Sequence, residues 1–269
     1  MGKRFAIIGA GMSGILTAIK LKERGIEDFA IYEKAARLGG TWRDNTYPGL
    51  SCDVPSHVYA YSFELKGDWS HRFSPGAEIQ GYFEGVARKY GLDRHFRFNS
   101  EIERAEYRDG RWHLAIKGGA TDVVDFVISA TGVLHHPATP DIPGLGDFKG
   151  ACFHSARWDH SVPLDGKRVG IIGTGSTAIQ IVPALADRVS KLTLFQRTAQ
   201  WVLPLANPPY SDDEKAMYLA SPQSLQQSYD FWSARFVDTF ARAVIGDQDE
   251  LHKIEAACRT NLEENVRDP

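Results

Sequence analysis

Short apolar runs alternate along this chain with stretches in which apolar residues recur every three or four positions. Residues 4–8 and Phe29–Tyr32 are strand-length runs, and they bracket a helical stretch over 13–24. In that stretch Ile15, Ala18 and Ile19 share one face, and Gly25 supplies a stop. The same rhythm returns later, with a run at Arg168–Ile172, a helix to about Asp187 and a run at Lys191–Phe195. Pro183 falls inside that second helix and removes one backbone hydrogen bond. Between the two units the pattern predicts a helix over 78–90, buried through Ile79, Tyr82, Phe83 and Val86. It also predicts a β-meander near 96–116 and one apolar strand over 123–130. After Phe195 no strand-length run follows. A helical region over 212–266 does, in which Phe231, Trp232, Phe236 and Phe240 are spaced for one buried face. The alternation predicts an α/β fold.

Each strand-to-helix junction is a glycine turn. The first, Gly9-Ala10-Gly11-Met12-Ser13-Gly14, reads G-x-G-x-x-G. Gly9 permits the tight turn, Gly11 lets backbone approach a diphosphate, and Gly14 lets the helix pack closely. The helix start offers N–H groups and a positive dipole end to phosphates. Glu33 follows the second strand, twenty-four residues after the first glycine, where a carboxylate accepts hydrogen bonds from both ribose hydroxyls and repels a 2′-phosphate. The second turn, Gly173-Thr174-Gly175-Ser176-Thr177-Ala178, reads G-x-G-x-x-A, and Arg197 stands at the same offset as Glu33. An arginine there grips a 2′-phosphate with two donors, and Thr198 adds a hydroxyl. FAD is therefore expected at the first turn and NADPH at the second, with NADH as the alternative there. A glycine motif alone is weak; strand, turn, helix, strand and charged residue in order are specific.

Composition narrows the picture. The chain has 269 residues, 43% of them hydrophobic, enough to bury a core in one large domain or two ordinary ones. A net charge of −3 without a basic block argues against nucleic acid. The apolar runs are too short to span a membrane, and the start of the chain lacks the features of a secretory leader or a myristoylation signal. Cys52, Cys152 and Cys258 are widely separated and suit neither a metal site nor a redox dithiol. The expectation is a cytoplasmic chain with reduced thiols, no metal and no inferable protein partner.

Two dinucleotide turns separated by an apolar strand ending in Ala130-Thr131-Gly132 resemble the two-dinucleotide-binding flavoproteins. The disulfide reductases among them need neighbouring cysteines to take electrons from flavin. This chain has no such pair, which favours dioxygen as the acceptor. Two further stretches sharpen the resemblance. One is Gly39-Gly40-Thr41-Trp42, followed by Tyr47-Pro48-Gly49 and Asp53. The other is F-x-G-x-x-x-H-x-x-x-W-D, carried by Phe148, Gly150, His154, Trp158 and Asp159 just before the second glycine turn. The chain resembles the type I Baeyer–Villiger monooxygenases from about residue 3 to its last residue.

The resemblance implies two Rossmann-like dinucleotide-binding domains, with FAD bound first, NADPH second and a helical insert in the second. Residues 1–140 would form the FAD domain, 141–163 the linker with the fingerprint, and 164–269 the NADPH domain with its insert over 212–266. Gly40, Thr41 and Trp42 would lie along FAD; Tyr59 and Ile102 would contact it, Ile102 at the adenine end. Asp53 would sit near the flavin ring and nicotinamide and hold a catalytic arginine that stabilises negative charge at the reacting carbonyl. His154 and Trp158 would couple NADPH binding to domain movement; a packed linker histidine and plain core burial are the alternatives for them. The implied reaction inserts one oxygen of O2 beside a ketone carbonyl to give an ester or lactone. Oxygenation of amines or sulfides, and nucleotide binding without catalysis, remain open. In the family the arginine comes from a segment beyond the last residue here, and two parallel strands alone leave unpaired edges. The chain is thus expected to be truncated, lacking a C-terminal part, and catalytically incomplete by itself.

Overall fold

The computed structural model describes residues 2–267, and its contacts divide the chain into two compact units. The first comprises Met1–Tyr47 and Gly76–Val162. Its centre is a parallel sheet ordered β3-β2-β1-β7, from β1 (Phe5–Ile8), β2 (Phe29–Tyr32), β3 (Phe96–Arg97) and β7 (Phe126–Ser129). Helix α1 (Met12–Glu23) lies against β1 and β2, burying Ile15, Ala18 and Ile19, and α3 (Gly76–Lys89) packs beside it. Ile79, Tyr82, Phe83 and Val86 are buried on α3, as their spacing predicts. On one sheet face, Ala6, Ala30 and Tyr32 meet Leu114 and Val124 of an antiparallel meander. That meander is β4 (Ile102–Arg108), β5 (Arg111–Ile116) and β6 (Thr121–Val124). Asp122 fastens it to the sheet, accepting hydrogen bonds from Arg4 at 2.9 Å and from the Tyr32 hydroxyl. Burial and that bond push the Tyr32 phenol up to about 12.

The single strand expected over 123–130 is two strands. It breaks at Asp125, whose carboxylate accepts the Arg4 N–H at 2.8 Å while its own N–H donates to the Arg4 carbonyl. Val123 and Val124 end the meander and Phe126 begins the parallel strand. A carboxylate anchored at the sheet's entry makes the chain change partners there.

The second unit comprises Pro48–Pro75 and Pro163–Pro269. It holds the parallel pair β8 (Arg168–Ile172) and β9 (Lys191–Phe195), with α4 (Ser176–Leu185) after the turn; α4 runs through Pro183. The insert follows as α5 (Asp212–Ala220), α6 (Pro222–Phe236), a π turn at Val237–Ala241, α7 (Arg242–Val244) and α8 (Gln248–Asn265). Reciprocal hydrogen bonds between Ser211 and Glu214 start α5, and Ser221 caps α6. The insert's expected apolar face is not a core: Phe231 is 58% exposed and Phe240 52%. Helical spacing marks a shared face but does not supply a surface to cover it.

This division differs from the expected boundary at residue 140. Residues 48–75 associate with the insert through specific contacts. The His57 ring stacks on Tyr210 at 5.0 Å, meets Tyr218 edge-on at 4.5 Å and shares a 2.7 Å hydrogen bond with Ser228. Asn207 exchanges two hydrogen bonds with the Phe73 backbone. The expected linker, up to residue 162, groups with the first unit.

Candidate dinucleotide-binding site

At the first turn Gly9 adopts φ +106° and donates its N–H to the Tyr32 carbonyl at 2.8 Å. A Cβ on Gly9 would lie 2.4 Å from the Ala130 carbonyl oxygen, and one on Gly14 2.0 Å from the Gly9 oxygen. Both glycines therefore serve close packing of backbone on backbone. Gly11 is the N-cap of α1; no side chain caps the helix and no acid stands in its first turn. Its α-carbon faces that of Gly40, where a Cβ would approach within 3.2 Å. Two bare α-carbons thus approach closely where side chains would crowd, beside a helix start that favours an anion. These residues fit the diphosphate of FAD.

The Gly39-Gly40 segment is tied down from several directions. Gly39 donates its N–H to the Ala10 carbonyl at 2.9 Å. Gln80 of α3 donates to the Leu38 carbonyl at 2.9 Å and occupies the space beside Gly39 that a side chain there would need. Thr41 and Trp42 begin the four-residue helix α2 (Thr41–Asp44). Arg43 on α2 turns its side chain inward: one nitrogen meets Glu33 at 2.9 Å, and its fork grips Asp44 at 2.8 and 3.0 Å. Burial opposes its charge, but Asp44 and Glu33 prevail and hold the guanidinium above its ordinary range.

Glu33 is buried, with 4% of its surface exposed. Its Oε1 accepts from the Ala35 N–H and from Arg43, and its Oε2 from the Ala10 N–H at 3.0 Å. A carboxylate has about four acceptor positions. Three are taken within the chain, two on Oε1 and one on Oε2. Sequence reasoning missed Arg43 and Gln80: nothing in T-W-R-D announces a buried ion pair, and Gln80 reads as an ordinary helix residue.

The other first-unit candidates separate. Met12 and Ser13 lie in the first turn of α1, and Ala130, Thr131 and Gly132 follow β7 beside Gly9. Ile102 packs against the core shared by the meander and the sheet. In the fingerprint, the Phe148 ring covers Gly150, where a Cβ would lie 2.6 Å from it. His154 caps a short helical turn: its Nδ1 accepts the Ala156 N–H at 3.0 Å, which leaves the proton of the neutral ring on Nε2. Trp158 meets Phe153 edge-on at 5.2 Å, and Asp159 accepts from the Ser161 N–H and hydroxyl.

In the second unit, Gly173 has φ +109° and donates to the Phe195 carbonyl at 2.9 Å, mirroring Gly9 and Tyr32. Gly175 is the N-cap of α4, again without a side-chain cap or a first-turn acid, and Ser176 and Thr177 follow. A Cβ on Gly173 or Gly175 would meet nothing within 4 Å. Strand register corrects the offset argument. Ile8 pairs with Tyr32 and Ile172 with Phe195, so the residue equivalent to Glu33 is Gln196, and Arg197 lies one further on. Arg197 and Thr198 are exposed, and the Thr198 carbonyl accepts from the Thr174 hydroxyl at 3.4 Å. Asp53 is exposed and Tyr59 half-buried in the 48–75 segment. Gln180 of α4 holds that segment, bonding the Ser51 carbonyl at 3.0 Å and the Ser51 N–H at 3.4 Å.

Fold and site define a two-dinucleotide α/β protein with glycine-turn helices open to phosphates. The flavin-binding monooxygenase-like family matches residues 2–210, and the chain belongs to that family. An uncharacterised monooxygenase of Mycobacterium tuberculosis is 52% identical over 98% of this chain and 53% of its own length. A Baeyer–Villiger monooxygenase of Streptomyces coelicolor is 43% identical over 99% of this chain and 51% of its own. Among solved structures, a mutant cyclohexanone monooxygenase from Rhodococcus sp. Phi1 bound to NADP+ matches with a TM-score of 0.84 and 30% identity. That match covers 99% of this chain and 59% of the other. The chain spans about half the length of the curated relatives it matches. Among the described residues no helix is long and apolar enough to cross a membrane.

Proposed function

We propose that the chain works in a FAD-dependent, NADPH-using monooxygenase of the Baeyer–Villiger type, which inserts one oxygen of O2 beside a ketone carbonyl to give an ester or lactone. The observation that carries this reading is the pairing, in one chain, of two uncapped glycine-turn helices. One is accompanied by a buried acid and the other by an exposed arginine. The fingerprint between them and the Baeyer–Villiger name of the Streptomyces coelicolor relative support the ketone assignment.

FAD, when bound, supplies the redox chemistry, taking hydride from NADPH and passing electrons to dioxygen. The protein's part is binding and orientation. The α1 start, with the bare backbone of Gly11 and Gly40 beside it, would hold the diphosphate, and Glu33 Oε2 would accept from a ribose hydroxyl. Arg197 and Thr198 meet the 2′-phosphate of NADPH at the α4 turn. Asp53, tethered through Ser51 to Gln180, orients the cation that stabilises negative charge at the ketone oxygen. His154 and Trp158 order the segment joining the two binding regions.

The test is product analysis with FAD, NADPH and O2, offering a cyclic ketone and an alkyl aryl sulfide to the purified chain alone and to the chain extended by the half of the Streptomyces coelicolor relative that it does not match. An ester or lactone is expected from the extended protein and none from the chain alone. Sulfoxide alone from the extended protein would move the assignment to heteroatom oxygenation, and an ester from the chain alone would contradict its catalytic incompleteness.

A further inference from the structure

Resting on the flavin-site reading above, we propose that Arg43 is a positioning residue for the dinucleotide: it ties the acid at the adenosine end to the loop at the diphosphate end. Its guanidinium joins three parts of the chain. It meets Glu33 after β2 at 2.9 Å, the Arg37 carbonyl at 2.8 Å and the Asp44 carboxylate through a two-point fork. Its side chain is 8% exposed and that of Glu33 5%, so the pair is held in a setting where geometry is enforced.

The contacts form a closed circuit. Glu33 accepts the Ala10 N–H, the Ala10 carbonyl accepts the Gly39 N–H, and Gly40 lies close against Gly11. Arg43 closes the circuit back to Glu33. By taking a position on Oε1 it leaves the ribose only Oε2, and it fixes where that oxygen points. The proposal gives Arg43 no contact with the cofactor; it acts through Glu33 and the loop. Lysine keeps the charge but cannot reproduce the planar fork.

The test is FAD titration into flavin-stripped chain for the parent, Arg43→Lys, Glu33→Gln and the double variant, with circular dichroism tracking the fold. Arg43→Lys is expected to weaken FAD about tenfold, as loss of one charge-assisted hydrogen-bond geometry does. Glu33→Gln should weaken it comparably, and the double variant no more than the worse single one, because both act through the same oxygen. Unchanged affinity in Arg43→Lys, or losses that multiply in the double variant, would overturn the proposal. Should Arg43→Lys fail to fold, Asp44→Asn loosens only the fork; it should weaken FAD severalfold, and parental affinity would overturn the proposal. A folded parent that binds no flavin would overturn the functional reading itself.

Discussion

At the first glycine turn, a Cβ on Gly14 would lie 2.0 Å from the Gly9 carbonyl; at the second, Ala178 carries that Cβ and is buried. At the first, the Ala130 carbonyl after β7 closes over Gly9; at the second, a Cβ on Gly173 would meet nothing within 4 Å. Both turns bond back to the last residue of the neighbouring strand, and both helix starts are uncapped. The shared features are those a phosphate needs. The difference lies in enclosure. The chain leaving β7 forces glycine at position 9, where the Ala130 backbone touches it, while the two-strand sheet of the second turn leaves φ as the main constraint on Gly173.

Swapping residues between the turns should break this comparison most sharply. Gly14→Ala is expected to cost about 3 kcal/mol of stability by overpacking against the Gly9 carbonyl and to abolish flavin retention. The thermal midpoint and bound-flavin absorbance measure both losses. Next in size, Arg197→Gln should weaken NADPH about 10- to 100-fold and leave NADH nearly unaffected, as loss of charge-assisted phosphate bonds implies. Stopped-flow reduction of the bound flavin with each nucleotide separates the two.

A third prediction concerns the 48–75 segment of the second unit. Burial lowers the His57 imidazole to about 4, so the native state resists its protonation. A base lowered on folding contributes stability that is present above its unfolded value near 6.5 and is lost as pH falls towards 4. Between pH 7 and pH 5 the loss should be about 2 kcal/mol. In His57→Gln the unfolding midpoint should fall less steeply with acid; an unchanged slope would remove His57 from the account. The smallest effect is expected at the open turn itself. Ala178→Gly should cost roughly 1 kcal/mol, mainly helix propensity, with NADPH affinity retained.

Much of this was legible because it is local. Short runs of four or five residues rich in apolar side chains gave β2, β8 and β9 with their observed limits, and helical spacing gave the buried face of α3. The glycine turns were readable because φ and close approach restrict residue type at Gly9 and Gly14. What stayed hidden depends on distant partners. Asp125 splits an apolar run because the Arg4 backbone waits for it. Arg43 matters because folding brings it to Glu33, ten residues away in sequence. Equal offsets placed Arg197 opposite Glu33, but the second turn-to-strand connection is one residue shorter, which only strand register reveals. Phe231 and Phe240 have the spacing of a core face and remain exposed, since spacing records which residues share a side and not what lies opposite.

The central claim is that the enclosed turn holds FAD and the open one NADPH. It is tested most directly by titrating FAD into the purified chain and then following bleaching of the bound flavin near 450 nm under anaerobic NADPH and NADH. The account predicts about one FAD per chain, reduced markedly faster by NADPH. A folded chain that binds no FAD, or one whose flavin both nucleotides reduce equally, would contradict it.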